Sequence, residues 1–94
     1  MTLTVKFIGS LRHVTGKSQL RMDHVNGMSL RDLLVKMNPE APELKKSLGD
    51  METDDSALNA LILVNGMEIS VLDGLKTKLS DGDEIVFVPV IHGG

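Results

Sequence analysis

The sequence predicts a single α+β domain spanning residues 1–94, built as a mixed sheet of four to five strands with one main helix packed on one face. Three observations carry this reading. Residues 2–8 alternate, with Leu3, Val5 and Phe7 facing one way and Thr4, Lys6 and Ile8 the other, the period of a half-buried strand. Leu30, Leu33, Leu34 and Met37 fall at i, i+3, i+4 and i+7, one face of a helix. Two dense apolar runs, Ala60 to Val64 and Ile85 to Val90, supply further strands.

Length and composition bound what such a domain can do. A chain of 94 residues holds one modest core, burying about 60–65% of the unfolded surface. Its 41% hydrophobic and 24% charged content is that of an ordinary soluble globular protein. A net charge of −3 offers no basic stripe for nucleic acid, and an acidic body suits a partner with a basic docking surface. The absence of cysteine excludes disulfides, thiolate zinc sites and cysteine nucleophiles, so any sulfur chemistry must use something other than a thiol. The first residues lack a charged region followed by an apolar one, and no apolar run approaches the roughly 20 residues that span a bilayer. A cytoplasmic protein is expected, with no membrane partner.

The elements follow in order. After the first strand, Gly9-Ser10 ends the alternation, and Leu11 and Val14 allow one short helical turn before Gly16. A second strand, Gln19 to His24, has Leu20 and Met22 in phase and completes a hairpin with a long connection. Asn26-Gly27 breaks the chain, Ser29 is set to cap a helix, and Asp32 sits three residues on to complete a capping box. Asn38-Pro39 stops that helix. Pro42 to Leu48 reads as a short second helix ended by Gly49. Residues 50–56 are polar and acidic and read as a mobile surface loop. Glu52, Asp54 and Asp55 would be a metal site only with the glycine and terminal glutamate of a calcium loop, which they lack, so no metal is expected.

Ala60 to Val64 is continuous enough to suggest a strand buried on both faces. Asn65-Gly66 is a hairpin turn, followed by a minor strand over Met67 to Val71. Leu75 and Leu79 flank two lysines, and Asp81-Gly82-Asp83 turns into the last strand, Glu84 to Val90. The first and last strands are expected side by side at the sheet centre, with the helix as crossover. That is the β-grasp, or ubiquitin-like, roll.

The chain closes on Ile91-His92-Gly93-Gly94. Two glycines end a strand poorly, because glycine loses the most freedom on ordering and packs nothing. They do make a slim tail, expected to be flexible over residues 89–94, whose terminal carboxylate can thread a channel too narrow for a Cβ. If Phe7, Ile85 and Phe87 face the helix, then Ile8, Val86 and Val88 form an apolar patch on the opposite face, which one short helix pair cannot cover. The alternatives are a partner surface or a face covered by loops. His92 has no base or metal partner in sequence and reads as a tolerated tail residue; His13 and His24 read as surface positions, and the six methionines as packing or exposed residues.

Leu79-Ser80-Asp81-Gly82-Asp83-Glu84-Ile85-Val86-Phe87-Val88-Pro89 with the closing Gly93-Gly94 resembles the MoaD/ThiS/Urm1 group of ubiquitin-like sulfur carriers. Leu63-Val64-Asn65-Gly66 and the early Phe7, Leu11-Arg12, Val14 and Gly16 match as well. The Pro89 end looks like the small subunit of molybdopterin synthase, and His92-Gly93-Gly94 looks equally like carriers used in tRNA thiolation.

The resemblance implies a mechanism. An E1-like adenylyltransferase of the ThiF/MoeB type adenylates Gly94 with ATP, a persulfide sulfur displaces AMP, and Gly94 becomes a thiocarboxylate. Ile91, His92 and Gly93 thread a partner's active site, while Ile8, Val86, Val88 and Pro89 dock the body. In molybdenum cofactor biosynthesis the partner is a MoaE-like large subunit, and the chain is a sulfur-donor subunit with no bound cofactor and no independent activity. Transfer to tRNA or conjugation to proteins, and an inert β-grasp interaction domain, are the competing readings.

Overall fold

In a computed structural model, which describes residues 1–44 and 60–90, the described residues form five strands and two complete α-helices, with further helical residues at 42–44. They are β1 (Thr2–Phe7), α1 (Leu11–Thr15), β2 (Gln19–Asp23), α2 (Leu30–Met37), β3 (Ala60–Val64), β4 (Met67–Glu68) and β5 (Glu84–Pro89). Two 3₁₀ turns, Ile69–Val71 and Gly74–Lys76, lie between β4 and β5. The sheet order is β2-β1-β5-β3-β4. β1 and β5 are parallel neighbours at its centre, and every other pairing is antiparallel. This is the β-grasp arrangement.

The alternation of β1 is realised directly. Leu3, Val5 and Phe7 are buried, and so are Ile85 and Phe87, their counterparts on β5. Phe7 and Phe87 are in register across the parallel pair, their rings 5.7 Å apart and inclined by 23°. An offset aromatic pair of this kind adds about 0.5–1.5 kcal/mol beyond the area it buries. Against this face lies α2, whose Leu30, Leu33, Leu34 and Met37 are all buried while Arg31, Asp32, Val35 and Lys36 are exposed. The capping box forms in full: the Asp32 amide donates to Ser29 Oγ at 3.2 Å, and the Ser29 amide donates to Asp32 Oδ2 at 2.9 Å.

The turn ahead of β5 is pinned to the start of β1. The Thr2 amide donates to Asp81 Oδ1 at 2.7 Å, the Gly82 amide to Thr2 O at 2.9 Å, and the Thr4 amide to Asp83 O at 3.1 Å. Gly82 sits at φ 86°, in the left-handed region, which is why glycine stands between the two aspartates.

Three expectations need correction, and a fourth lies only partly within the described residues. β3 is not buried on both faces: Ala60, Ile62 and Val64 are buried, whereas Leu61 is 45% exposed, because no helix among the described residues covers the far side of the sheet. The minor strand over Met67 to Val71 is a strand only at Met67–Glu68. Glu68 then accepts the Ser70 amide and hydroxyl and turns the chain into the 3₁₀ segment. The second strand stops at Asp23, and His24 is not a free surface residue: its Nε2 lies 2.9 Å from Leu79 O and its Nδ1 is buried without a partner. Of the second helix expected over Pro42 to Leu48, residues 42–44 are helical, with Leu44 buried; its remainder, Gly49 and the loop 50–56 lie outside the described residues.

Candidate functional site

β5 organises the site, because it is the strand that carries the chain toward its closing residues and is flanked on both sides. Its two faces have opposite fates. Ile85 and Phe87 point into the core, so Val86 and Val88 must point to the other face of the sheet. Cross-strand register places Leu63 opposite Val86 and Leu61 opposite Val88 on β3, with Lys6 of β1 on Val86's other side. Ile8 continues the outward set of β1, held by its amide donating to Phe87 O at 3.0 Å. Ile8 is 38% exposed, and Val86, Val88 and Leu63 are half-buried.

The result is a contiguous apolar face of Ile8, Leu61, Leu63, Val86 and Val88 with no element over it among the described residues. Sequence parity places Ile8, Val86 and Val88 together, as the structure does. It misses Leu61 and Leu63, which lie within a run read as wholly buried. The signal that finds them is the element count: with one main helix, one face of every strand lacks cover.

The rim of this face is polar. Lys6 Nζ and Glu84 Oε2 form an ion pair at 2.9 Å, both side chains being substantially exposed, so it contributes about 0–1 kcal/mol. Glu68, opposite Leu63 at the far edge, has its carboxyl held below the ordinary glutamate value by the Ser70 hydroxyl and amide.

Pro89 stands apart from the patch. It is half-buried opposite Ala60 and shares the phase of Phe87 rather than of Val88. A Cβ added to Gly9, at φ +58°, would sit 3.4 Å from Pro89 Cγ, so the β1–α1 connection approaches the proline closely. Val90, the last described residue, is 38% exposed. Ile91, His92, Gly93 and Gly94 lie outside the described residues.

Among the described residues no three His, Cys, Asp or Glu side chains are grouped to hold a metal ion, and no helix is long and apolar enough to cross a membrane. What the described part of the site presents is a surface. It is an uncovered apolar face beside the strand that leads to the diglycine.

A sequence model of the ThiS family matches residues 5–94, through the closing diglycine. Small archaeal modifier protein 3 of Haloferax volcanii is 29% identical, with all of both chains covered. The small archaeal modifier protein 1 of Methanosarcina acetivorans, a solution structure, is 32% identical at a TM-score of 0.80, covering 99% of this chain and 96% of its own. A complex of subunits 1 and 2 of the molybdopterin-converting factor from Helicobacter pylori contains a chain 26% identical, with both chains fully covered and a TM-score of 0.65.

Proposed function

The chain belongs to the ThiS family of ubiquitin-like sulfur carriers and modifiers, and on that premise we propose that it carries sulfur as a thiocarboxylate on Gly94 and delivers it as the small subunit of molybdopterin synthase. The observation that carries this reading is the family match through Gly94 together with the uncovered apolar face on the strand leading to it.

The chemistry follows from the carboxyl group. With a pKa of about 3.3–3.7 a terminal carboxylate is ionised at neutral pH and is a poor electrophile. Attack of its oxygen on the α-phosphorus of ATP, with loss of pyrophosphate, creates an acyl-adenylate and an AMP leaving group. A persulfide sulfur displaces AMP, and a thiol then cleaves the acyl disulfide to leave the thiocarboxylate. The ATP is a substrate of the E1-like activating enzyme. The carrier contributes docking and reach. Ordering residues 91–94 inside a partner opposes binding by about 1–2 kcal/mol per residue. Burying the face of Ile8, Leu61, Leu63, Val86 and Val88 offsets that cost. The assembly of the H. pylori relative from two subunits supports a larger catalytic subunit as the partner.

A second reading, conjugation of Gly94 to lysines of other proteins with or without a role in tRNA thiolation, is favoured by the modifier names of two relatives. One measurement separates them. Intact mass of the protein from its own host, purified without thiols, is expected to show one terminal oxygen replaced by sulfur, localised to Gly94 by fragmentation. A co-purifying large subunit marks the pterin route, and isopeptide-linked lysines mark the modifier. An unmodified mass after incubation with ATP, a sulfur donor and the host's activating enzyme would overturn both.

A further inference from the structure

A second surface lies on the other side of the sheet. Residues 77–79 run antiparallel to residues 28–30: the Leu30 amide donates to Thr77 O and the Leu79 amide to Met28 O, both at 2.9 Å, with Ser29 and Lys78 bridged between them. This clip holds open a groove of about 490 Å³ lined by Ser29, Arg31, Leu75, Lys76 and Lys78. Leu75 is buried and forms the floor, and Arg31, Lys76 and Lys78 are exposed. Three of the chain's ten basic residues thus converge on one groove that no carboxylate lines among the described residues, in a protein of net charge −3. Lys78 is tethered, its Nζ donating to Gly27 O at 3.1 Å and lying close enough to Asp32 to help hold that carboxyl below its ordinary value. The side chains of Arg31 and Lys76 make no hydrogen bond or ion pair among the described residues.

We propose that this groove is a docking site for an acidic peptide segment of a partner protein. Charge complementarity selects the occupant. In a body of net charge −3 the groove is a local reversal of sign, which both steers and orients the encounter with an acidic chain. Nucleic acid fits less well, since the chain has only two aromatic residues to stack bases and a net charge that opposes a polyphosphate. A small anion is not caged: the groove is shallow, and the Leu30 and Asp32 amides at the start of α2 are already bonded to Thr77 O and Ser29 Oγ. An extended chain bearing several carboxylates can meet Arg31, Lys76 and Lys78 together. Because the groove lies on the helix side, a partner there leaves the face of Leu61, Val86 and Val88 free. The carrier can then hold two proteins at once.

The test uses the unmodified full chain and so stands apart from the sulfur chemistry. Isotope-labelled protein is titrated with a capped hexaglutamate peptide and with capped hexaglutamine. Saturable amide shifts are expected for hexaglutamate at Ser29, Arg31, Lys76 and Lys78 but not at Leu61, Val86 or Val88, weakening as salt rises toward about 0.15 M. The Arg31→Glu/Lys76→Glu pair should weaken binding about tenfold while keeping the native spectrum; Lys76→Gln, a milder change, should weaken it less. The proposal fails if no shifts appear or if hexaglutamine shifts the same amides. It also fails if the shifts spread equally to Lys17 and Arg21, if inorganic phosphate competes at equal concentration, or if oligothymidylate binds the groove more tightly than the peptide.

Discussion

Asp32 shows how a single exposed side chain can carry both a helix and its pH response. Its carboxyl is held below its ordinary value of 3.8, chiefly by the Ser29 amide and hydroxyl, with the Lys78 charge adding to them. The unfolded chain therefore takes up the proton first. The stabilisation is present above the ordinary value and is lost as pH falls through the lower folded value. Chemical denaturation from neutral pH to about pH 3 is expected to show wild type losing stability faster in the acid range than Asp32→Asn, the curves converging at the acid end. Ser29→Ala should cost about 1 kcal/mol at neutral pH in the same assay. This box was legible in the sequence because its partners are three residues apart. His24 was not, since the atom that engages its ring, Leu79 O, is 55 residues away and no local pattern encodes it.

At the scale of elements, the β3–β4 turn joins local and long-range order. Asn65 and Gly66 both have positive φ, 51° and 83°, the backbone of a two-residue hairpin whose twist suits its strands. Asn65 also ties the turn to β5: its Nδ2 donates to Asp83 Oδ1 at 2.8 Å and its Oδ1 accepts the Glu84 amide at 2.9 Å. Asn65→Gly keeps the backbone and loses the ties, and Asn65→Ala loses both. Thermal denaturation should rank wild type above Asn65→Gly and that above Asn65→Ala, with about 1 kcal/mol or more between the extremes. The turn, α2 and the central pairing of β1 with β5 could all be read from periodicity and punctuation. The shortness of β4 could not, because it is ended by Glu68 capping Ser70, a contact that competes with a strand pattern still visible in the residues. Nor could the exposure of Leu61, since an apolar run records composition and not which layer lies on top of it.

For the molecule as a whole, the sheet has one face committed to stability and one with no element over it among the described residues, and substitutions should separate the two. Leu61→Arg is expected to leave the denaturation midpoint within about 0.5 kcal/mol of wild type while weakening capture of a large subunit at least tenfold, measured by calorimetry. Phe87→Ala, on the opposite side of the same central strands, should cost about 3–5 kcal/mol, a large part of what holds a domain of this size together. The placement of β5 between β1 and β3 has a further consequence, which concerns how the protein is made. The middle strand of the sheet is the last of its five described strands to be translated. A ribosome-bound chain that has not yet released residues 84–89 has β1 and β3 with nothing between them, two unpaired edges of the kind that chaperones and proteases find first. Completion of the sheet waits for residues 84–89, so a chain that stalls short of Glu84 cannot pass as a finished carrier, and only molecules translated through the strand that leads to Gly94 acquire the body that presents it.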